Sequence, residues 1–422
     1  MFSQHKLSNG IRLIFSPHPG TAAVSLLVMV RVGSRSEEPG QGGISHFAEH
    51  LMFKGTKKRP NTLIISQELD SVGAEYNAFT GKDQTGYYIK SASANLELAV
   101  DMLSDMLANS LFDAQEIERE RGTILEEINM YEDNPMAKVE NLFEEDFFGK
   151  NTPLGRYIIG TPQTVRAIKR DQIVKYWQEH YVGENMVIAL AGNFNSQKAL
   201  SLIKAKFGSL PRGRFNAVKK ITKLPERPKF AAHYKKTNQG HLILGFPGIS
   251  YTDKNREALG LLATILGGNM SSRLFISVRE RLGLCYFIRA SLEAYEETGA
   301  FSIQAGLDLG KISQALKAIS LELKNVKQGG VKKEELSKAK QYIKGKTDLS
   351  LEESLDVASF YAKQVLWHRE VLTPEQALKR VFSVSEKDIS RLAKQVLDKR
   401  QLNLVMLSPF KSLKQFARHI DI

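Results

Sequence analysis

Cysteine is almost missing from this sequence. Cys285 stands alone, so no disulfide can form within the chain, and the fold must hold by packing. That fits a reducing cytoplasm. Nor is there a run near the ~18 consecutive apolar residues that a membrane-spanning helix needs. The opening stretch MFSQHKLSNGIRLIFS has no apolar core followed by a small-residue cleavage site. It reads as a first strand rather than a signal peptide, so the expected location is cytoplasmic, or periplasmic if a native leader was trimmed. Acidic residues are too few to balance the basic ones. The count is 46 Asp and Glu against 59 Lys and Arg, a net +13, which raises the question of a nucleic-acid or anionic partner. The basic residues are scattered, however. The densest runs, at 219–223 and 332–346, are short and carry no interleaved aromatics, which favours a solvated basic surface over nucleic-acid binding.

What is present is enough chain for more than one core. A length of 422 residues exceeds the roughly 100–200 of an ordinary domain. The stretch 212–230, RGRFNAVKKITKLPERPKF, is basic, carries two prolines and reads as a connection. The expected division is a domain over 1–213, a linker over 214–229 and a second domain over 230–422. The halves look like diverged copies. The segment running from Asp171 into 185–192 aligns without a gap on that from Lys387 into 401–408, 216 residues on. Glu116-Ile117 aligns on Glu335-Leu336 at a spacing of 219. Identity is low, so chance likeness of helices stays open beside duplication. Residues 11–16 and 24–32 read as strands, 44–55 and 61–73 as helices, 74–92 as a hairpin about Gly81-Lys82-Asp83, and 95–109 and 114–132 as helices. Helix pairs and hairpins without regular βαβ alternation predict an α+β fold.

The chemistry gathers at His46-Phe47-Ala48-Glu49-His50. At about 100° per residue, Ile44, Phe47, Ala48, Leu51 and Met52 form one apolar stripe, and His46, Glu49 and His50 fall opposite. Two histidines four apart stand one turn above each other, so both rings can reach one ion. Glu49 lies beside them, placed to take a proton from a water that such an ion acidifies. H-x-x-E-H is the inverse of the commoner H-E-x-x-H and is a metallopeptidase signature, although five residues alone also suit a surface helix. Gly42 and Gly43 precede it and permit close backbone approach.

Zinc asks for a third protein ligand. EIERERGTILEEINMY, 116–131, makes a second amphipathic helix with Ile117, Ile124, Leu125 and Ile128 as its stripe. Glu120 and Glu127 lie two turns apart on that stripe's shoulder, whereas Glu126 points about 100° away from Glu127. Half-buried carboxylates require a partner. The histidines with a metal would supply one, with Glu127 as ligand and Glu120 as the acid that orients a ligand or the water. Ion pairs to Arg119 or Arg121 are the alternative.

The combination is specific. HFAEHLMFKGT, with Glu127 following His50 after 76 intervening residues, resembles the pitrilysin, or inverzincin, family of zinc metallopeptidases, which includes insulin-degrading enzyme and the mitochondrial processing peptidase. GAEYNAFTGKDQTGYYI resembles that family's substrate-binding strand and hairpin, ERERGTILEEINMYED its third-ligand helix, and GGNMSSRLFISVRERLGLCYFI the signature of its second half. The length resembles the short bacterial processing-peptidase subfamily, in which one chain holds two homologous domains. The resemblance implies two mostly antiparallel sheets packed with helices and closing as a clamshell. It implies zinc on His46, His50 and Glu127, Glu49 as base, Glu120 in support, and a substrate backbone paired with Asn77, Ala78 and Phe79 on an edge strand. Ordinary polar–apolar alternation explains that triplet equally well.

The second half has no H-x-x-E-H, and Glu120 and Glu127 become Ala339 and Lys346 there. The resemblance gives that half Arg279 and Tyr286, a pair that contacts the peptide carbonyl and the developing oxyanion. The apolar context LGLCYFI leaves a core position open for Tyr286. The expected activity is hydrolysis of short or unfolded peptides. The expected partners are the peptide and a second chain, either identical or an inactive relative, with no nucleic acid and no membrane span. A dedicated maturation protease and a non-catalytic scaffold of the same fold are the rival readings.

Overall fold

The computed structural model describes residues 2–214, 220–221, 228–368 and 370–422. Most of the expected linker, 214–229, lies outside the described residues. The first half runs β1 (Ser3–Lys6), β2 (Arg12–Pro17), β3 (Ala23–Val30), α1 (Ile44–Leu51), α2 (Thr62–Asp70), β4 (Glu75–Thr80), β5 (Thr85–Ala92), α3 (Leu96–Asn109), α4 (Ala114–Asp133), α5 (Pro135–Phe148), α6 (Pro162–Ala167), α7 (Arg170–His180), β6 (Met186–Gly192) and α8 (Ser196–Phe207). The second runs β7 (Lys229–Tyr234), β8 (Gln239–Pro247), α9 (Arg256–Gly267), a π-helical turn (Phe275–Arg281), β9 (Cys285–Ala294), β10 (Gly299–Asp308), α10 (Ile312–Gly329), α11 (Lys333–Ser350), α12 (Ser354–Trp367), α13 (Pro374–Ser383), α14 (Glu386–Val396), β11 (Asn403–Ser408) and α15 (Lys414–Ala417). Every element expected between residues 11 and 132 is present, and the fold class is α+β.

The chain forms two compact units. The first sheet has the order β1-β2-β6-β3-β5-β4 and the second β7-β11-β8-β10-β9. Both contain one parallel pair, β2 with β6 and β7 with β11, and every other pairing is antiparallel. Apart from β1, the strand orders superpose. The helices follow the same repeat: α14 begins and ends 216 residues after α7, and α12 begins and ends 219 after α5. Chance likeness of helices does not produce matching strand orders, so the chain is a duplication.

The compact units differ from the expected contiguous halves. One comprises 1–128, 156–219 and 347–373, and the other 129–155, 220–346 and 374–422. The exchanged pieces carry equivalent helices. In the first unit α12 covers β2, β3 and β6, burying Ala358, Tyr361, Ala362, Val365 and Leu366 against Ile14, Leu27, Met29, Val187 and Ala189. In the second, α5 covers β8 and β11 with Val139, Leu142, Phe143, Phe147 and Phe148. Each large apolar side chain so buried contributes roughly 1.5–3 kcal/mol, and a sheet needs cover on both faces when its strands are apolar throughout. β3, AVSLLVMV, is apolar but for Ser25 and is buried from Val24 to Val30.

The edge strand β4 differs. Glu75, Asn77 and Phe79 alternate outward with half-buried Tyr76, Ala78 and Thr80. Strand alternation puts the latter three on one face, and α1 packs against β4.

Candidate metal centre

α1 begins at Gly43, whose φ of +95° places it in the left-handed region, and a Cβ there would lie 2.7 Å from the Ile159 carbonyl oxygen. This is the close approach expected from Gly42-Gly43. The helix is buried along Ile44, Phe47, Ala48 and Leu51. On its other side, His46 and His50 meet Glu120 and Glu127 of α4, and Glu49 meets Thr80 of β4. Ile117, Ile124 and Ile128 anchor α4, leaving Glu120 buried and Glu127 half-buried on the shoulder, while Glu126 is exposed.

The two helices bring three donor atoms together. His46 Nε2 and His50 Nε2 lie 3.2 Å apart, and Glu127 Oε2 is 3.5 Å from the first and 3.6 Å from the second. Four ligands at 2.0–2.1 Å in a tetrahedron stand roughly 3.3–3.4 Å from one another. The observed separations have that size, so the donor set fits a zinc-sized ion. Among the described residues these three are the one group of His, Cys, Asp or Glu side chains converging in this way.

The neutral ring of His46 and the hydrogen bond on His50 Nδ1 suit such a site. Burial first, and then the neighbouring His50, push His46 down to about 3, so its ring is neutral at pH 7. For His50 burial also acts downward, but the hydrogen bond to Glu120 and the nearby Glu49 and Glu127 outweigh it and raise the pKa. His50 Nδ1 lies 3.0 Å from Glu120 Oε2. A carboxylate there favours the proton on Nδ1 and leaves the Nε2 lone pair facing His46 and Glu127. The other oxygen of Glu120 lies 2.7 Å from Lys54 Nζ. Burial acts to raise Glu120, yet these two hydrogen bonds hold it lower than an ordinary carboxyl. Glu127 is raised by burial.

The expected alternative for the α4 carboxylates does not occur. Arg119 pairs with Glu116 and Arg121 with Glu118, both along the helix surface, and Arg121 also donates to the carbonyls of Val165 and Ile168.

Glu49 is buried beside the histidines. Its carboxylate accepts from the Thr80 hydroxyl, and burial raises its pKa. Tyr87 and Tyr181, bonded hydroxyl to hydroxyl at 2.7 Å, are buried nearby. Asn77, Ala78 and Phe79 sit on the edge strand as expected. The Phe79 ring lies over Gly86 of β5, where a Cβ would come within 2.3 Å of it.

Arg279 and Tyr286 come together in the second unit, the guanidinium 5.5 Å from the centre of the tyrosine ring. Tyr286 is 75% exposed, so the core position its apolar context left open is not where it lies. It stands near the start of edge strand β9, where side chains alternate outward. Ala339 is buried and Lys346 exposed on α11, the counterpart of α4.

Sequence reasoning missed Thr80, Lys54 and Glu37. Glu37 accepts from the N–H groups of Gly43 and Ser45 and so caps α1. Strand alternation from Tyr76 would have placed Thr80 on the α1 face. Lys54 follows His50 by four, but α1 ends at Leu51, so helical spacing does not reach it. Nothing local marks Glu37.

Comparison with known proteins gives a consistent picture. Residues 12–162 match the family described as Insulinase (Peptidase family M16), and residues 167–343 match the Peptidase M16 inactive domain. A relative in Streptomyces coelicolor named an uncharacterized zinc protease is 36% identical, covering 98% of this chain and 91% of its own. The uncharacterized zinc protease YmxG of Bacillus subtilis is 33% identical over 97% of this chain and 98% of its own. A crystal structure of a protease from Helicobacter pylori shares the fold at a TM-score of 0.91 and 24% identity, covering 97% of this chain and 99% of that one.

Proposed function

The chain belongs to the insulinase family of peptidases, M16, and from that premise we propose that it is a zinc-dependent endopeptidase whose centre is His46, His50, Glu127 and Glu49. The observation that carries this reading is the convergence of two imidazole Nε2 atoms and one carboxylate oxygen, with a buried second carboxylate on the same helix.

His46 and His50 would hold the metal through Nε2 and Glu127 through Oε2. Zinc held there supplies Lewis-acid activation of water and of the scissile carbonyl. Glu120 holds the proton of His50 on Nδ1 and so keeps that ring in the ligating tautomer, and Lys54 keeps Glu120 ionised. Glu49 takes the proton of the attacking water on its carboxylate and delivers it to the leaving amide nitrogen. Its raised pKa suits both directions of transfer, because a base works best when its pKa lies close to the operating pH.

The substrate is an extended or unfolded peptide. Among the described residues β4 pairs only with β5 within its sheet, so its other edge can accept a further strand along Asn77, Ala78 and Phe79 through main-chain hydrogen bonds that ask little of sequence. Arg279 and Tyr286 offer a guanidinium and a phenol to peptide carbonyls. The working assembly is two chains, identical or with an inactive relative. No described helix is long and apolar enough to cross a membrane. Retention of both histidines and all three glutamates argues against a non-catalytic scaffold.

Metal content and hydrolysis of a quenched fluorescent peptide library test this in wild type and Glu49→Gln. The expected result is about one zinc in each, with cleavage by wild type and a loss of roughly 10²–10⁴-fold in the variant. Undiminished cleavage by the variant contradicts the assignment of the base.

A further inference from the structure

Thr80 ends strand β4, and its hydroxyl donates to Glu49 Oε2. Both residues are held by one short stretch of chain. Gly33 lies so close to the β4–β5 turn that a Cβ would come within 2.3 Å of the Gly81 carbonyl oxygen. Ser34 N–H donates to the Gly81 carbonyl and Arg35 N–H to that of Lys82, each at 3.1 Å. Arg35 and Asp83 form a buried ion pair at 2.6 Å, and Lys82 Nζ donates to the Arg156 carbonyl at 2.6 Å. Two residues beyond Arg35, Glu37 accepts from Gly43 and Ser45 N–H at 3.0 Å each, at the start of the helix that carries Glu49. The segment 33–37 therefore grips the hairpin turn next to Thr80 with one end and caps α1 with the other.

We infer that Thr80 is a positioning residue for proton transfer, its hydroxyl fixing the Glu49 carboxylate at a set distance from the free edge of β4. A side chain branched at Cβ is stiff about χ1, so the hydroxyl has little freedom to release the carboxylate. Thr80 faces α1 while Asn77 and Phe79 face away, which leaves it free to serve the base and lets the outer edge serve a peptide. Register is the consequence. A peptide laid along β4 meets the base at a distance set by Thr80, and misplacement of a catalytic group by about 1 Å costs on the order of 10²-fold in rate.

This inference rests on Glu49 being the base, so the experiment includes Glu49→Gln as a separate arm. Thr80→Val removes the hydroxyl at nearly constant volume, and Thr80→Ser keeps it. Zinc content, thermal melting, kcat and KM are measured for each on one extended fluorogenic peptide. The expected result is a Thr80→Val protein with wild-type zinc and KM within about twofold, but kcat lower by roughly 10- to 100-fold, and a Thr80→Ser protein with most of kcat restored. Wild-type kcat in Thr80→Val overturns the inference, as does a matching loss in Thr80→Ser or a rise in KM that accounts for the defect. If Thr80→Val does not fold, Thr80→Ala is compared with Thr80→Ser by the same criteria. Glu49→Gln at wild-type rate overturns the reading of the base instead, whatever Thr80 does.

Discussion

The two units share a strand order and a helix spacing, and they part at a few side chains. On α4, Glu120 and Glu127 turn toward two histidines; on α11 the equivalent positions are Ala339, buried, and Lys346, exposed. Both units end their sheets on an edge strand, β4 in one and β9 in the other. What differs is the chemistry beside it. β4 runs against α1 with its His46, Glu49 and His50, whereas β9 carries Tyr286 with Arg279 over its ring. Duplication kept the packing and released the site. Core positions answer to volume and polarity and tolerate drift, while a metal site disappears once one of its ligands is replaced.

The comparison is sharpened most by removing support for a ligand rather than the ligand. Glu120→Gln is expected to weaken zinc affinity by about 10- to 100-fold, measured by competition with a chelating dye. Lys346→Gln in the second unit is expected to leave affinity unchanged. Equal losses in both would mean that the two units do not differ in the way described.

A smaller effect concerns the cap. Burial pushes Glu37 up to about 7, against the N–H and hydroxyl of Ser45, the Gly43 N–H and the charge of Arg156. The folded chain then holds this proton more tightly than the unfolded chain, whose carboxyl keeps its ordinary value of 4.5. Stability from this group is therefore full below about pH 4.5, falls as pH rises to about 7, and stays reduced above. The size is on the order of 3 kcal/mol. Chemical denaturation across that range is expected to show a flatter pH dependence in Glu37→Gln than in wild type.

Much of this was legible in the sequence where the information is local. The α1 stripe, the shared shoulder of Glu120 and Glu127 and the outward alternation of Asn77 and Phe79 follow from helical and strand periods. The α5–α12 exchange was not legible, because an amphipathic helix declares that it has an apolar face and not which sheet covers it. Thr80, Lys54 and Glu37 were missed for a related reason. Each acts through a contact fixed by tertiary packing or a loop, where no period applies. Tyr286 was ambiguous because an edge strand exposes side chains that an apolar run would suggest are buried.

The central claim is that His46, His50 and Glu127 bind one ion as a set. Its most direct test is calorimetric titration of zinc into the metal-stripped chain, for wild type and His50→Ala. One tight site in wild type, absent from the variant while its far-UV spectrum and melting cooperativity persist, is the predicted result. Tight stoichiometric binding retained in His50→Ala, or no binding by a folded wild-type chain, contradicts the account.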